Sequence, residues 1–108
     1  MQNAMTDLYN VVLDRKKNPS DRSYTCYLLE QGLDKILKKC GEECAETIIA
    51  AKNGQNEDTV NELCDLLYHL SVLMVSQGIS LDEVYYELAR RSLKIGNLKN
   101  FHETDKNT

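Results

Sequence analysis

Apolar residues recur every three or four positions along most of this chain, which is the spacing of amphipathic helices. Turn-forming residues interrupt the pattern at 18–21, at Gly32, at 53–56 and at Gly78. No stretch shows the apolar–polar alternation of a half-buried strand, and no segment is repeated. The sequence therefore predicts an all-α protein, an antiparallel helical bundle of four to five helices.

The expected helix bounds follow from capping residues, glycines and the one proline. The helices are expected to begin at Thr6, at 23–25, at Asn56 or Asp58 and at Ser80, and to end near Lys17, Lys52, Gln77 and Gly96. Gly32 is expected to kink or break the second helix, because glycine costs about 1 kcal/mol in a helix interior. The residues expected to face inward are Leu8, Tyr9, Val11 and Val12 in the first helix, and Leu81, Val84, Tyr85, Leu88 and Leu93 in the last.

The helix that ends near Gln77 is apolar nearly all round, which predicts a buried central helix. Its apolar residues are Leu66, Leu67, Leu70, Val72, Leu73, Met74 and Val75. A chain of 108 residues has too few other helices to cover every side of it. Because soluble monomers rarely leave large apolar patches exposed, we expect a homodimer that forms through this central helix.

Composition bounds the remaining possibilities. At 108 residues the chain is expected to form one domain over 1–98, followed by a polar, frayed tail over 99–108. The net charge of −4 argues against a nucleic-acid-binding surface, and no apolar run is long enough to span a membrane. The four cysteines are expected to be small, buried apolar residues. With no signal-peptide pattern at the start of the chain, they favour a reducing cytoplasm.

Five acidic residues form the strongest candidate site. Glu42, Glu43 and Glu46 fall on one helix face, and Glu62 and Asp65 are one turn apart on the next helix. The short connection between these helices predicts that they pack antiparallel, so the two acidic patches would face each other across one groove. Carboxylates in such a groove repel unless a cation lies between them, and Mg²⁺ takes oxygen ligands.

A glutamate-rich face is more often solvated surface than a metal site. Two features argue for a site here. Glu42 and Glu46 are like charges at i,i+4, which costs an isolated helix roughly 0.2–0.5 kcal/mol. Ala45 and Ile49 lie close to the same face, which a fully exposed surface would not need.

Basic residues lie close to the acidic face in sequence. Those on the same helix face are Lys35, Lys38 and Lys39. One interpretation is a set of intrahelical ion pairs, Lys38–Glu42 and Lys39–Glu43. The other is a track of substrate-binding lysines that guides phosphate groups into the site. Arg91, with Arg90 and Lys94, is a further candidate phosphate contact, since arginine suits bidentate phosphate binding.

Several blocks of residues resemble the all-α nucleotide pyrophosphohydrolases, the MazG-like superfamily, and within it the phosphoribosyl-ATP pyrophosphatase family of histidine biosynthesis. The acidic signature is common to the superfamily. The more specific blocks are Ser23-Tyr24-Thr25, Lys39-Cys40-Gly41-Glu42-Glu43, Ala50-Ala51-Lys52 and Asp65-Leu66-Leu67-Tyr68-His69-Leu70. The resemblance implies Mg²⁺-dependent hydrolysis of phosphoribosyl-ATP to phosphoribosyl-AMP and pyrophosphate by a dimer.

The resemblance also assigns roles to the acids. It implies that Glu42, Glu43, Glu46, Glu62 and Asp65 hold the metal, with a glutamate acting as general base on the attacking water. Which of the glutamates is the base stays open. His69 is expected to be a packed residue and is left out of the catalytic set. Two alternatives remain: a nucleoside triphosphate pyrophosphohydrolase of the same superfamily, and a non-enzymatic helical dimerisation module.

Overall fold

Five α-helices account for nearly all of residues 3–95, the part of the chain that the computed structural model describes. The helices are α1 (Ala4–Lys17), α2 (Tyr24–Gln31), α3 (Leu33–Lys52), α4 (Asn56–Gln77) and α5 (Leu81–Ile95). Over 3–95 there is no strand, so the all-α prediction is confirmed. The predicted stop at Gly96 and the tail over 99–108 lie outside the described residues.

The two longest helices, α3 and α4, form an antiparallel hairpin with the largest interface in the fold. Its connection is only three residues long, from Asn53 to Gln55, and Gly54 takes a φ of 69° there. The backbone N–H of Gln55 closes the turn by donating to the carbonyl oxygen of Ala50 at 3.2 Å. A connection this short brings the facing sides of both helices into register, as the sequence predicts.

Many of the predicted helix ends agree with the structure: α1 ends at Lys17, α3 at Lys52 and α4 at Gln77, and three caps lie where the sequence predicts. The Ser23 hydroxyl accepts a hydrogen bond from the backbone N–H of Cys26 at 3.1 Å, and the Ser80 hydroxyl accepts one from the N–H of Glu83 at 3.1 Å. Gly78 ends α4 in the left-handed conformation at φ 71°. These caps are local, so the sequence alone specifies them.

Two predicted caps are wrong. Asn3, not Thr6, caps α1, because the Asn3 side chain accepts a hydrogen bond from the Thr6 N–H at 3.1 Å. Helix α4 follows Gln55, has no side-chain cap, and includes both Asn56 and Asp58 in its first turn. The tight connection holds the chain close to α3 here, so α4 begins without a capping side chain.

Gly32 separates α2 from α3 completely. It is the last residue before α3, and its φ of 95° is a conformation that residues with a Cβ rarely adopt. The prediction that this glycine kinks or breaks the helix is confirmed as a break. The chain therefore changes direction, and α2 contacts both long helices of the hairpin.

A small core lies where α1 and α2 pack against the hairpin. Its buried members are Tyr9, Val12, Leu28, Ile36, Cys40, Val72, Val75 and Leu81. The Tyr9 hydroxyl donates a hydrogen bond to the Ile79 carbonyl at 2.8 Å, which joins α1 to the α4–α5 connection. This core lies against the C-terminal half of α4, so the N-terminal half of α4 is covered mainly by α3.

Several residues that were expected inside are exposed. Val11 lies on the outer side of α1, a quarter turn from the fully buried Val12. Over residues 81–93 of α5, only Leu81 is buried, and Leu88 and Leu93 are exposed, because α5 makes only weak contacts with the other helices. The cysteine prediction is correct only for Cys40. Cys26 is half-buried, and the two remaining cysteines, at 44 and 64, are exposed.

No single described helix is both long and apolar enough to cross a membrane. Helices α4 and α5 pass the same test only when taken together, with a bend of 113° between them.

Candidate active site

Three carboxylates from the two long helices meet at one point. Glu43 of α3 faces α4 and is only 7% exposed, although its side chain ends in a polar carboxyl group. Glu62 and Asp65 approach it from α4, and one oxygen of each of the three side chains lies within 4.8 Å of the others. The i,i+3 spacing puts Glu62 and Asp65 on one face of α4, and the hairpin brings that face against Glu43. We call these three residues the acidic centre.

Two oxygens of the acidic centre lack the hydrogen bonds that buried polar atoms normally make. Oε2 of Glu43 and Oε2 of Glu62 are both buried and have no partner within the described residues. Leaving a buried acceptor unpaired costs about 1–3 kcal/mol, and more for a charged group. A hard cation between the carboxylates would satisfy both oxygens.

Neighbouring carboxylates raise the pKa of Glu62 to about 7. The nearby Glu46 carboxyl is the largest cause, followed by burial and then by the nearby Glu43 carboxyl. When no cation is bound, the crowding of carboxylates therefore favours the protonated form of Glu62. This also places Glu46, itself exposed, beside the acidic centre.

Glu42 does not join this group. Its Oε1 lies 3.9 Å from the Nζ of Lys39, one turn earlier on α3. Glu42 and Glu43 are adjacent in sequence, and adjacent residues diverge by about 100° around a helix, so they cannot share one point. Four of the five predicted acids are brought together, and Glu42 is turned toward a lysine.

His69 is a second buried polar residue at the acidic centre, 5% exposed and absent from the predicted catalytic set. Its Nδ1–H donates a hydrogen bond to the Asp65 carbonyl oxygen at 2.8 Å. This fixes the tautomer, so Nε2 accepts a hydrogen bond from the Tyr24 hydroxyl at 3.3 Å. Nδ1 also lies 4.0 Å from Oε1 of Glu43. The i,i+4 spacing from Asp65 was the sequence signal for this position.

The start of α2 is tied to α4 beside the acidic centre. The Thr25 hydroxyl is hydrogen-bonded to the Tyr68 hydroxyl, and burial raises the pKa of Tyr68. The rings of Tyr68 and His69 meet edge to face at a centroid distance of 5.0 Å. The 23–25 block and the 65–70 block, far apart in sequence, therefore form one structural unit at the site.

The predicted substrate-binding residues lie at different distances from this centre. Lys39 pairs with Glu42, Lys38 is exposed, and the Nζ of Lys35 lies 5.9 Å from the ring centroid of Tyr27. Neither the Lys38–Glu42 nor the Lys39–Glu43 pair forms among the described residues. Arg91 is 66% exposed on α5, where its Nε donates to Glu87 at 3.0 Å.

Glu87 binds a second arginine as well. Arg90 donates to Glu87 at 2.5 and 2.9 Å, and the two arginines, Arg90 first, lower the pKa of Glu87 to about 2. Arg91 is thus part of an exposed ion-pair cluster within α5.

The fold and site together define an all-α protein whose central helical hairpin presents an acidic centre suited to a hard cation. Residues 5–92 match the model of a family described as phosphoribosyl-ATP pyrophosphohydrolase. Proteins named phosphoribosyl-ATP pyrophosphatase are similar along nearly the whole chain. The relative from Clostridium novyi (strain NT) is 51% identical over 89% of this chain and 87% of its own. The relative from Bacillus cereus (strain AH187) is 46% identical over 97% of this chain and 98% of its own.

This chain belongs to the phosphoribosyl-ATP pyrophosphohydrolase family. A relative from Clostridium botulinum (strain Hall) supports the same conclusion, at 52% identity over 94% of this chain and 93% of its own. The resemblance seen in the sequence is therefore confirmed.

Proposed function

We propose that this protein hydrolyses phosphoribosyl-ATP to phosphoribosyl-AMP and pyrophosphate, a step of histidine biosynthesis. Membership of the family and relatives of that name at 46–52% identity support the reaction. The single structural observation that carries it is the convergence of Glu43, Glu62 and Asp65 on one point. A phosphoanhydride carries several negative charges, so its hydrolysis needs a centre that can hold a cation beside the phosphates.

The acidic centre would hold Mg²⁺. The unpartnered oxygens of Glu43 and Glu62 would supply two ligands, and Asp65 would supply a third. Oxygen-only ligands with room left for water and phosphate are the usual environment of Mg²⁺. When bound, the ion would neutralise charge on the phosphates and lower the pKa of a water molecule.

The side chains around the acidic centre then have separate tasks. A glutamate of α3 accepts a proton from the attacking water as pyrophosphate leaves, and Glu46 is exposed beside the centre where it can reach that water. The hydrogen bond from His69 to the Asp65 carbonyl holds the turn of α4 that presents both α4 acids. Lys35, Lys38 and Lys39 would bind phosphate oxygens, as the sequence predicts, and Glu42 would hold Lys39 in place.

A homodimer is part of this proposal. Along α3, Leu37 and Ile48 are exposed, and along α4 Val60, Leu63 and Leu67 form an exposed stripe at helical spacing. The stripe lies mainly in the N-terminal half of α4, whereas the sequence prediction rested on the apolar residues from Leu66 to Val75 in its C-terminal half. A second copy would cover both stripes by an isologous contact and would bring more charged groups, such as Arg91, toward the site. The single-domain bounds and the cytoplasmic location likewise stay predictions.

Pyrophosphate release from phosphoribosyl-ATP with Mg²⁺ tests the function directly. We expect turnover that stops when the metal is chelated, and slower release from ATP and from the other common nucleoside triphosphates. Equal or faster release from simple triphosphates would assign the alternative pyrophosphohydrolase activity. If no nucleotide is hydrolysed in the presence of Mg²⁺, the non-enzymatic dimerisation module is the remaining alternative. The variant Glu43→Gln, prepared in parallel, excludes a contaminating phosphatase.

A further inference from the structure

Two half-exposed tyrosines of α2 stand beside the acidic centre. Tyr24 and Tyr27 are 47% and 45% exposed, and their rings lie at an interplanar angle of 22° with centroids 6.1 Å apart. Tyr68 continues the row, with its centroid 6.2 Å from that of Tyr24 at an angle of 24°. We propose that Tyr24 and Tyr27 form a stacking platform for the purine base of the nucleotide substrate, an inference that rests on the proposed function.

The platform begins next to the groups that would receive the phosphates. The Tyr24 ring meets the His69 ring edge to face at 5.9 Å, and its hydroxyl donates to Nε2 of that histidine. His69 in turn lies 4.0 Å from Glu43. A nucleotide whose phosphates lie at the acidic centre must place its base a short distance away, and the Tyr24 ring, which contacts His69, is an exposed aromatic surface next to that centre. Every base has an aromatic face, so stacking on such rings is favourable.

The far end of the platform opens into a cavity of about 580 Å³. This volume is in the usual range of small-ligand sites. Its lining combines Tyr27 and the apolar side chains of Pro19, Cys26 and Leu29 with charges of both signs, such as Arg15 and Asp21, and with serine hydroxyls. A second sugar phosphate attached to the base carries both anionic oxygens and hydroxyl groups, so this mixed lining fits it better than a purely apolar group.

The fold itself gives Tyr27 no evident structural task. Among the described residues its hydroxyl makes no hydrogen bond, whereas the Tyr24 hydroxyl anchors α2 to His69. The Nζ of Lys35 lies 5.9 Å from the Tyr27 centroid, which leaves this cation close enough to reach a phosphate of a nucleotide stacked there. A half-exposed ring that lines a cavity and has a lysine cation over its face is arranged to receive a ligand.

Tyr27→Leu and Tyr27→Phe test the platform, with Tyr86→Leu on α5 as the matched control, since Tyr86 is 73% exposed and far along the chain from the site. For Tyr27→Leu we expect the KM for phosphoribosyl-ATP to rise about fivefold or more, the lower end of the cost of losing one base–aromatic stack. Turnover at saturation should change less. Tyr86→Leu should behave as the parent, and Tyr27→Phe, which keeps the ring, should retain most of the affinity that Tyr27→Leu loses.

Inhibition by the two halves of the substrate supplies a second readout. In Tyr27→Leu, inhibition by AMP should weaken by about the same factor as the rise in KM, because AMP contains the base. Inhibition by inorganic pyrophosphate, which has no base, should be unchanged. An equal loss of both would indicate a general distortion of the site and would overturn the inference.

Failure of the inference and failure of the proposed function give different results. If the parent hydrolyses phosphoribosyl-ATP but Tyr27→Leu retains its KM and its inhibition by AMP, the platform is wrong and the function stands. If the parent does not hydrolyse phosphoribosyl-ATP, calorimetric titration with AMP and Mg²⁺ still decides the platform. Tighter binding to the parent than to Tyr27→Leu upholds it, and equal or undetectable binding to both overturns it.

Discussion

The carboxylates of Glu43 and Glu62 face each other across the α3–α4 interface, and each has one buried oxygen without a hydrogen-bond partner. Two acids in this arrangement destabilise the fold, since neither can be fully ionised without strong repulsion. The same arrangement offers carboxylate oxygens from both helices to a divalent cation. The first predictions concern this opposition between the stability of the metal-free fold and the binding of a cation at the acidic centre.

Glu43→Gln, Glu46→Gln and Asp65→Asn should each lower turnover by about 100-fold or more, since even the outer partners of metal ligands contribute 10–100-fold. The helical fold should stay intact. In EDTA, Glu43→Gln should raise the melting temperature slightly, because the amide donates a hydrogen bond where a carboxylate repels Glu62. Steady-state pyrophosphate release and circular dichroism measure the two effects.

Glu42→Gln is the matched control for these substitutions. Glu42 is adjacent to Glu43 in sequence but lies near Lys39, outside the acidic centre. We expect a clearly smaller loss of turnover than in Glu43→Gln. Equal losses would show that the direction of Glu42 in this structure is not the one used in catalysis, and near-parental activity in all four variants would remove the metal-site assignment.

The stability of the metal-free protein should depend on pH through Glu62. Its pKa is raised from 4.5 to about 7, so the folded state binds this proton more tightly than the unfolded state does. Stability from this group is therefore fully present below pH 4.5 and declines as the pH rises toward about 7. Melting curves in EDTA across this interval should show the decline in the parent and a weaker one in Glu62→Gln.

Mg²⁺ should reverse this effect, because a cation at the acidic centre stabilises the ionised carboxylates. At pH above 7, added Mg²⁺ should raise the melting temperature of the parent much more than that of Glu62→Gln. A melting temperature that is indifferent to Mg²⁺ in both proteins would contradict the proposed ion site, whatever the activity.

Lys39→Met distinguishes a phosphate contact from a structural ion pair. The Lys39–Glu42 pair is long, at 3.9 Å, and partly exposed, so it contributes at most about 1 kcal/mol. We expect a higher KM or a lower turnover with little change in melting temperature. A clear loss of stability with unchanged kinetics would favour the ion-pair role, and Lys38→Met, an exposed neighbour, provides the comparison.

Leu63→Glu and Ile48→Glu should produce monomers if the exposed stripes of α3 and α4 form the dimer contact. A buried glutamate without a partner is strongly unfavourable at such an interface. Val11→Glu, equally exposed but on α1, should leave the assembly unchanged. Sedimentation at micromolar concentration measures this directly. A parental species near 12.3 kDa would refute the dimer, and one near twice that mass would support it.

The sequence by itself determined what depends on neighbours along the chain. Helix formation, the caps at Ser23 and Ser80, the break at Gly32 and the stop at Gly78 all rest on interactions within a few residues. The shared face of Glu62 and Asp65 rests only on their i,i+3 spacing. Local spacing of this kind fixes which side chains share a helix face, and this can be predicted without knowing the rest of the fold.

Only the tertiary structure decided which distant groups meet, because that depends on the rotation and register of one helix against another. Glu42 and Glu43 are the same residue type and adjacent in sequence, but they differ by about 100° around α3. Glu42 therefore lies near Lys39, and Glu43 lies against α4. The contact of Tyr24 with His69 spans 45 positions and has no local signal. Val11 on α1 and Leu63 on α4 are apolar but exposed. Burial depends on whether another helix packs against that side, and not on the side chain alone.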